Sequence, residues 1–451
     1  MRLLSRLKAN KVATASSWVI VGHFISQLIR LGGNLVLTRL LVPEMFGVMA
    51  LVSVLITGVT MLSDIGLGQS IIQNKRGSEP DFLNTAWTLQ IIRGFLLWLI
   101  ICFFAGVLWV GNHWGYLSHA QAYAHPLLPW LIITAGFAAV VSGFNSTKVF
   151  QAKRELALGK IEMIHIIVQL ISLLTIITLA YHYKTIWSIV AGSIVGSVIN
   201  MFFSHKYLPG IKNKIHWDKS AVHELFHFGK WIFLSTAVGF IANQGDRLIL
   251  GGLLTPEMLG IYSIAFMLAN LPSSIVSQLS HKVLFPNFSK INRDTPKQLK
   301  ASLSKSKRWL SLLVMPITGV IMSWSQFIID FMYDDRYSEA GWMMELLLLR
   351  VATACLLIPN ALVLMAKGLP KYGTFSAMIK AIFIFIALPL ASNYGTKEMI
   401  LVIGLSGLIN IPILWWALIK NKLFSLKIEV FSILLLLIGF FIGSTSFQLL
   451  H

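Results

Sequence analysis

Long apolar runs are the feature that most constrains how this chain can fold. Lipid offers no partner for backbone polar groups, so only helices and closed β-barrels cross a membrane, and a crossing helix needs about 20 mostly apolar residues. Barrel strands alternate in polarity, whereas these runs do not. Thirteen runs occur in the 451 residues, at roughly 15–38, 45–65, 86–110, 126–146, 161–182, 185–205, 228–251, 257–278, 308–332, 340–366, 373–392, 397–420 and 428–449. We therefore expect an all-α polytopic membrane protein of 12 to 14 spans, with thirteen as the best count.

The composition supports a membrane protein and points away from a metal or cofactor enzyme. Only 12% of the residues are charged and 56% are hydrophobic, whereas an ordinary soluble domain is about 25% charged. Cys102 and Cys355 lie inside apolar runs, which predicts small buried side chains and neither a disulfide nor a metal site. We expect no cofactor. The first apolar run is too long for a cleavable signal peptide, and no small-residue cleavage site follows it.

The net charge of +19 is distributed along the chain in a way that predicts topology. Lys and Arg in short loops mark the cytoplasmic side of a membrane protein. Most of the 37 basic residues fall in alternate loops, at 2–11, 74–77, 148–160, 206–230, 282–308, 367–371 and 420–427. This pattern predicts a cytoplasmic N-terminus and, with thirteen spans, an external C-terminus. The positive charge then faces the anionic lipids of the inner leaflet, and we do not expect a nucleic-acid partner.

A repeated phrase predicts the internal architecture. "LLVPEMFG" at 40–47 returns as "LLTPEMLG" at 253–260, and at the same offset of 213 Trp18 matches Trp231 and Gly32 matches Gly245. Six spans separate the copies, so both run in one direction, as in a parallel repeat related by an axis along the membrane normal. We expect two six-helix lobes, 1–214 and 215–424, with an additional transmembrane helix at 425–451. The Pro-Glu pair predicts the first turn of a helix in each copy.

Three segments resemble a known family. They are "LTRLLVPEMFGVMALVSVLITGVTMLSDIGLGQSIIQ" (37–73), "GDRLILGGLLTPEMLGIYSIAFMLANLP" (245–272) and "FMYDDRYSEAGWMMELLLL" (331–349). They are similar to the polysaccharide transporter family, the Wzx-like oligosaccharide flippases of the multidrug/oligosaccharidyl-lipid/polysaccharide exporter superfamily. The resemblance implies a bacterial inner-membrane protein with two lobes around a central cavity that opens to one side at a time. It also implies that a polyprenyl-pyrophosphate-linked oligosaccharide moves to the outer leaflet for surface polysaccharide biosynthesis, in functional association with polymerase and export machinery.

The first span carries a polar stripe that predicts a substrate path. His23, Gln27, Arg30 and Asn34 are spaced i, i+4, i+7 and i+11, which places them on one helix face. A charge at mid-membrane costs about 2.5–3.5 kcal/mol on insertion scales, so Arg30 should face protein or water. One or two polar residues would suffice for hydrogen bonds between helices. A stripe along the whole helix fits a wet cavity better, and we expect all four residues to contact substrate.

The seventh span carries the matching polar residues. At the repeat offset Arg30 corresponds to Asn243, and Asn34 corresponds to Arg247. We expect Arg30 and Arg247 to line one cavity between the lobes and to bind an anion, because guanidinium is permanently charged and bidentate. Arg350 in span 10 is a further candidate for substrate binding.

Asp246 is the acid of this region and precedes Arg247 directly. Adjacent helix residues do not face each other, so Arg350 is the expected partner of Asp246. The sequence leaves open whether this is a structural ion pair or one that couples to transport.

Weaker polar signals occur elsewhere in the spans. His165, Gln169 and Ser172 form a shorter stripe in span 5. Arg93 and Lys380 lie near cytoplasmic helix ends, and we expect them to extend to the headgroups.

Two other function classes fit the sequence less well. A drug/cation antiporter of the same superfamily needs intramembrane acids, but span 1 has none, and Asp246 and Glu345 are the plausible deep ones. A membrane-embedded polysaccharide polymerase or ligase would need a sizeable outer loop, and the longest here is 111–125. No G-x-x-x-x-G-K-[ST] motif is present, so ATP is not hydrolysed on this chain. We therefore expect a non-enzymatic flippase whose partners are the lipid-linked oligosaccharide and the membrane lipids, with the energy source left open.

The topology is tested by cysteine labelling of intact cells. We expect an impermeant reagent to label a cysteine in 111–125 and to leave Lys297→Cys unlabelled until the cells are lysed. Labelling of Lys297→Cys without lysis would contradict the predicted orientation.

Overall fold

The computed structural model describes residues 2–450 apart from 64–65, 117, 119–120 and 156, and omits the side chains of 2–17, 19–20, 226–235 and 449–450. Helices make up most of the described chain, and no strand occurs within it. The all-α class predicted by the apolar runs is therefore confirmed. By its internal packing the chain divides into two compact units, Met1–Phe240 and Ile241–His451.

The first unit is a bundle of long helices joined by short ones. Gly94 and Gly143 allow two of these helices, α4 (Pro80–His113) and α5 (Leu128–Gly143), to approach closely, since a Cβ on Gly94 would lie 2.9 Å from the carbonyl oxygen of Ala139. The unit contains α1 (Arg2–Leu40), α2 (Pro43–Leu62), α3 (Leu67–Gln73), α4 (Pro80–His113), α5 (Leu128–Gly143), α6 (Lys148–Arg154), α7 (Leu158–Tyr183), α8 (Trp187–Lys206) and the first part of α9 (Lys219–Gly251).

The second unit contains the remaining helices and the end of α9. A π-helical turn at Ser280–Leu284 joins its first two complete helices, α10 (Pro256–Leu279) and α11 (Phe285–Asp294). The helices are α10 (Pro256–Leu279), α11 (Phe285–Asp294), α12 (Leu299–Ser323), α13 (Ser325–Met332), α14 (Ala340–Ala366), α15 (Lys371–Ala391), α16 (Thr396–Leu405), α17 (Ile411–Lys420) and α18 (Leu426–Leu450).

The helices account for a multi-pass membrane protein. Among the described residues nine helical segments are long and apolar enough to cross a bilayer, and eleven if each of two bent pairs counts as one span. That count does not include α1 and α9, which coincide with predicted spans 1 and 7. Some of the side chains of these two helices lie outside the described residues.

Two predicted segments differ from the observed helices. The predicted ninth span is not continuous, because α12 and α13 meet at Trp324 with a bend of 69°. Ser323 and Ser325 donate their hydroxyls to the carbonyls of Val320 and Ile321, at 3.0 and 2.8 Å, and such bonds compete with the helical ladder. The predicted loop 148–160 also contains a helix, since α6 follows α5 after a bend of 64°.

The repeated Pro-Glu phrase begins a helix in both units, as predicted. Pro43 and Pro256 are the first residues of α2 and α10, and Glu44 and Glu257 lie in the first turns. Thr255 adds a cap in the second copy, because its hydroxyl accepts a hydrogen bond from the Met258 amide at 3.2 Å.

Other consequences of the repeat stay predictions. The side chain of Trp231, predicted to match Trp18, lies outside the described residues. The division into 1–214, 215–424 and 425–451 also stays a prediction.

The last helix, α18, is an integral part of the second unit. Gly439 and Gly443 form a G-x-x-x-G pattern, and small residues at this spacing let membrane helices approach closely. A Cβ on Gly439 would lie 2.2 Å from the Pro316 carbonyl of α12, and one on Gly319 would lie 2.4 Å from the Leu436 carbonyl. The backbones of α12 and α18 therefore touch, which gives the thirteenth predicted span a packing role.

A buried ion pair joins the same two helices to α14. Lys307 of α12 pairs with Glu429 of α18, and their side chains are only 2% and 3% exposed. The Asn360 amide of α14 accepts a hydrogen bond from Lys307 Nζ at 3.1 Å and donates one to Glu429 Oε1 at 3.4 Å. The Glu429 carboxylate thus holds three helices together where water is excluded.

The ion pair generates a stability prediction. We expect Lys307→Met to destabilise the protein by about 3–5 kcal/mol, because it leaves Glu429 as an uncompensated buried charge. The double variant Lys307→Met, Glu429→Leu should be much closer to the unchanged protein, since no buried charge remains. Unfolding of the purified protein in detergent measures both, with the exposed Lys305→Met as control. A double variant no more stable than Lys307→Met alone would show that this account of the pair is wrong.

Candidate functional site

One face of α1 packs against α7. The Ser26 hydroxyl donates to Gln169 Oε1 at 2.5 Å, and Gln169 Nε2 donates back to the Ser26 carbonyl at 2.9 Å. Gly33 lies so close to Leu173 that an added Cβ would be 2.5 Å from the Leu173 side chain. This face therefore provides the hydrogen bonds between the two helices.

The predicted stripe lies on a different face of α1. His23, Gln27 and Asn34 each follow a residue of the packed face, which rotates them by about 100° around the helix axis. Gln27 Nε2 and His23 Nε2 are 3.2 Å apart, so these two residues of the stripe are hydrogen-bonded to each other. Arg30 is exposed, and no acidic side chain in the described part of the first unit pairs with it. The stripe is thus accessible, while its role in substrate binding stays a prediction.

A charged cluster forms in the second unit around Asp246 of α9. The structure contains the expected pair, with Arg350 Nη1 of α14 lying 3.2 Å from Asp246 Oδ2. The hydroxyl of Tyr262, on α10, donates to the same oxygen at 3.1 Å. Asp246 and Tyr262 are both fully buried, so the carboxylate is enclosed and joins three helices.

Two arginines share one aromatic ring in this cluster. The guanidinium of Arg247 lies 4.3 Å from the Phe266 ring centre, and that of Arg350 lies 5.2 Å from it. Arg247 also donates to Gln244 Oε1 at 3.3 Å, while its buried Nε has no hydrogen-bond partner among the described residues. With one carboxylate for two guanidinium groups, the cluster carries excess positive charge.

The cluster includes groups that the sequence did not identify. Tyr262 and Phe266 are four residues apart on α10, a spacing that apolar core residues share, so nothing marks them as partners of Asp246. Lys380 of α15 also interacts electrostatically with Arg350 and Asp246. Its predicted extension to the headgroups stays a prediction.

The first unit contains a partly open cavity of about 650 Å³ at the end predicted to be cytoplasmic. Residues of α2, α4, α5, α7 and α8 form its walls, and α3 and α6 form its floor. Its polar lining residues are Thr60, Gln69, Gln90, Arg93, Ser142, Asn145, Ser146, Lys153, His165, Asn200 and Ser204. No Asp or Glu occurs among the described lining residues, so the described wall is cationic.

The cavity wall is held in place by side chains that bind helix ends. Gln90 Nε2 donates to the carbonyls of Ser142, Gly143 and Asn145 at 3.0–3.2 Å, which satisfies the open end of α5. Arg93 Nη2 donates to the Thr60 carbonyl at 2.9 Å. Asn145 Oδ1 is buried and accepts no hydrogen bond from any described residue. Most buried acceptors in proteins are paired, so this oxygen is an exception among the polar groups of the wall.

The floor of the cavity is fixed by two arginines. Arg154 of α6 donates to the carbonyls of Ile71 and Asn74 at the end of α3, at 2.8 and 2.6 Å. Arg76 lies 2.9 Å from both Asp218 and Glu224, which ties the start of α9 to the segment after α3. Hydrogen bonds from Arg76 and then Ser220 lower the pKa of Asp218 to about 2. This contribution to stability is present above pH 3.8 and disappears as the pH falls through about 2.

The cavity and the predicted site residues are different sets. None of the eight residues predicted for the site (His23, Gln27, Arg30, Asn34, Asn243, Asp246, Arg247 and Arg350) is among the described lining residues. His165 of the shorter stripe does line it. Arg30 belongs to the first unit and Arg247 to the second, and their sharing one cavity stays a prediction.

Comparison with known proteins identifies the family. A model of the family described as polysaccharide biosynthesis protein matches residues 36–341, more than half of the chain. The chain belongs to this family. The predicted resemblance to Wzx-like polysaccharide transporters is thereby confirmed.

Two bacterial relatives are similar over most of the chain. The lipopolysaccharide biosynthesis protein WzxC of Escherichia coli (strain K12) is 23% identical over 75% of this chain and 66% of its own length. The teichuronic acid biosynthesis protein TuaB of Bacillus subtilis (strain 168) is 21% identical over 68% of this chain and 61% of its own length. This chain therefore spans less than two thirds of the length of each of these two relatives.

Solved structures show the same fold. The lipid II flippase MurJ, in an inward closed conformation, matches with a TM-score of 0.73 and 16% identity, over 96% of this chain and 99% of that one. An inward-facing multidrug resistance MATE family transporter of the MOP superfamily matches with a TM-score of 0.67 and 11% identity, over 88% and 94%. The family member therefore has the polytopic two-lobe fold that the repeat predicts.

Proposed function

We propose that this family member is a flippase, which moves a polyprenyl-pyrophosphate-linked oligosaccharide from the inner to the outer leaflet for surface polysaccharide biosynthesis. The observation that carries the proposal is the excess of positive charge among the membrane helices. The described cavity wall contains Arg93 and Lys153 and no carboxylate, and the cluster at Asp246 has more guanidinium than carboxylate groups. Such charges favour an anionic headgroup over a cationic drug.

The chemistry of the substrate matches these groups. A pyrophosphate linked to sugars is charged and hydrated, so it cannot enter hydrocarbon without partners for its polar atoms. Guanidinium groups bind phosphate oxygens in a bidentate manner. Sugar hydroxyls both donate and accept, so they can form hydrogen bonds with the polar side chains of the cavity wall and with the amides of Gln27, Asn34 and Asn243. The lipid tail stays in the bilayer while the headgroup moves.

Names of the similar proteins support the same substrate class. WzxC and TuaB are named for lipopolysaccharide and teichuronic acid biosynthesis, and MurJ is titled a lipid II flippase. The three names therefore refer to surface polysaccharides or to a lipid-linked sugar. We infer a location in the bacterial inner membrane with a cytoplasmic N-terminus, and a functional association with polysaccharide polymerase or export machinery.

In the proposed mechanism, arginines bind the anion and Asp246 competes with it. Arg30, Arg247 and Arg350 are the main anion contacts, and His23 assists by bonding to sugar hydroxyls. Because Asp246 pairs with Arg350 at 3.2 Å, an arriving phosphate competes with this carboxylate for Arg350. Arg247, which forms no ion pair with an acid in the described part of the chain, supplies the positive charge that the phosphate neutralises. The two lobes then expose the site to each side of the membrane in turn. Asp246 is also one of the two deep acids that an antiporter could use, and its pairing with Arg350 argues against cation binding there.

The arginine assignment is tested by export of the glycan from cells. We expect Arg30→Ala or Arg247→Ala to abolish surface polysaccharide while protein abundance in the membrane stays near normal. Arg→Lys should restore part of the export, because lysine keeps the charge and loses the planar fork. Arg39→Ala, an exposed arginine outside the stripe, is the control. If the arginines only hold helices together, abundance and export will fall in proportion, and full export in the well-expressed double variant would rule out the assignment.

The cavity is tested by a change of charge without a change of shape. Asn145→Asp places a carboxylate on the cavity wall, and two like charges about 4 Å apart repel by about 4 kcal/mol at an effective dielectric constant of 20. We therefore expect export to fall by about tenfold or more at normal abundance. The exposed Asn393→Asp should have no effect. Unchanged export in Asn145→Asp would mean that the anionic headgroup does not pass this wall.

A further inference from the structure

A second groove, of about 800 Å³, lies on the second unit between the first turns of α15 and helix α17. Tyr372, Phe375 and Met378 form one wall, and Ile413 and Trp416 form the other. Phe375 and Trp416 are more than half exposed, although they are large and apolar. The lining side chains with hydrogen-bonding groups are those of Thr374, Tyr372, Trp416 and the lysine at the rim, and most of the wall is apolar. The groove therefore suits an apolar chain and would bind sugar poorly.

Two lysines lie at the rim of this groove. Lys371 Nζ is 5.6 Å from the ring centre of Tyr372, and Lys420 Nζ is 5.1 Å from the ring of Trp416. The two rings contact each other edge to face, with centres 5.9 Å apart. A cation over an aromatic face gains electrostatic energy, so both ammonium groups are held beside the open end of the groove. Neither forms an ion pair with an acid in the described part of the chain.

A neighbouring contact fixes the rim without using these lysines. Lys367, which follows α14, donates to Asn421 Oδ1, just after α17, at 3.0 Å. This bond joins the chain segments that precede α15 and follow α17, so the separation of the two walls is constrained. Lys371 and Lys420 remain available for an external anion.

We propose that this groove is a binding site for an anionic phospholipid of the cytoplasmic leaflet, with an acyl chain along the apolar walls and the phosphate between Lys371 and Lys420. Both lysines lie at helix ends, in the segments 367–371 and 420–427 that the charge pattern assigns to the cytoplasmic side, and the inner leaflet is anionic. Ammonium binds phosphate as a point charge, and basic pockets between helices on this side suit acidic headgroups. The site is independent of which molecule the protein transports.

An anionic phospholipid fits the groove better than the proposed substrate does. The oligosaccharide headgroup needs many hydrogen-bond partners, and the groove walls offer few. A small acidic headgroup needs only the two ammonium groups at the rim.

Native mass spectrometry of the full chain in detergent tests the proposal, with added phosphatidylglycerol as the probe. Each lysine near an anionic lipid contributes about 1 kcal/mol, or about fivefold in affinity, so Lys371→Gln, Lys420→Gln should weaken binding by about 25-fold. Met378→Trp fills the groove and should weaken binding with both lysines still present. Lys427→Gln, an exposed lysine at the start of α18, is the matched control and should bind as the unchanged protein does.

Binding of two other lipids tests whether the groove is specific for an anionic phospholipid. We expect zwitterionic phosphatidylcholine to bind weakly and to be insensitive to the lysine changes. Unchanged phosphatidylglycerol binding in the double variant, or equal binding of phosphatidylcholine, would overturn the proposal. Preferential displacement of phosphatidylglycerol by a polyprenyl phosphate would also overturn it, because the groove would then belong to the substrate path.

Discussion

The cost of placing charge among apolar helices controls the organisation of this protein. A charge away from water needs a partner, a hydrogen-bonded position at a helix end or a wet cavity, because the desolvation penalty is several kcal/mol. Each solution occurs here. Lys307 and Glu429 neutralise each other in a fully enclosed pair, Arg154 satisfies the open end of α3, and Arg93 borders a polar cavity. The charges that remain in excess are positive, and this excess is the physical basis of the proposed function.

Much of the fold could be predicted from the sequence because lipid imposes a length and a polarity on every span. The start of α2 at Pro43 and of α10 at Pro256 could be predicted too, since proline and an acid have a defined place in the first helical turn. The bend at Trp324 could not, because Ser323 and Ser325 read as ordinary polar residues until their hydroxyls are seen to bond to carbonyls one turn back. The attachment of α18 to α12 likewise depends on which helix meets Gly439.

Less of the candidate site could be predicted. The pair of Asp246 and Arg350 followed from helix geometry, because Asp246 could not face the arginine next to it. The cavity of the first unit did not follow, because its floor consists of α3 and α6, helices of only seven residues in stretches that resemble loops. Tyr262 and Phe266 are typical core residues by sequence, and only their distances to Asp246 and Arg247 give them a role. Positions that depend on the meeting of distant helices are the ones a single sequence does not specify.

The central claim is that a lipid-linked anionic oligosaccharide crosses the bilayer through this protein, and movement between leaflets measures it most directly. Purified protein is reconstituted into liposomes that carry a polyprenyl-pyrophosphate oligosaccharide, and an impermeant lectin reports the sugar exposed outside over time. The account predicts faster exposure than in protein-free liposomes, and faster exposure than for a lipid-linked sugar with a neutral linkage. Equal rates with and without the protein, or no preference for the anionic linkage, would contradict it.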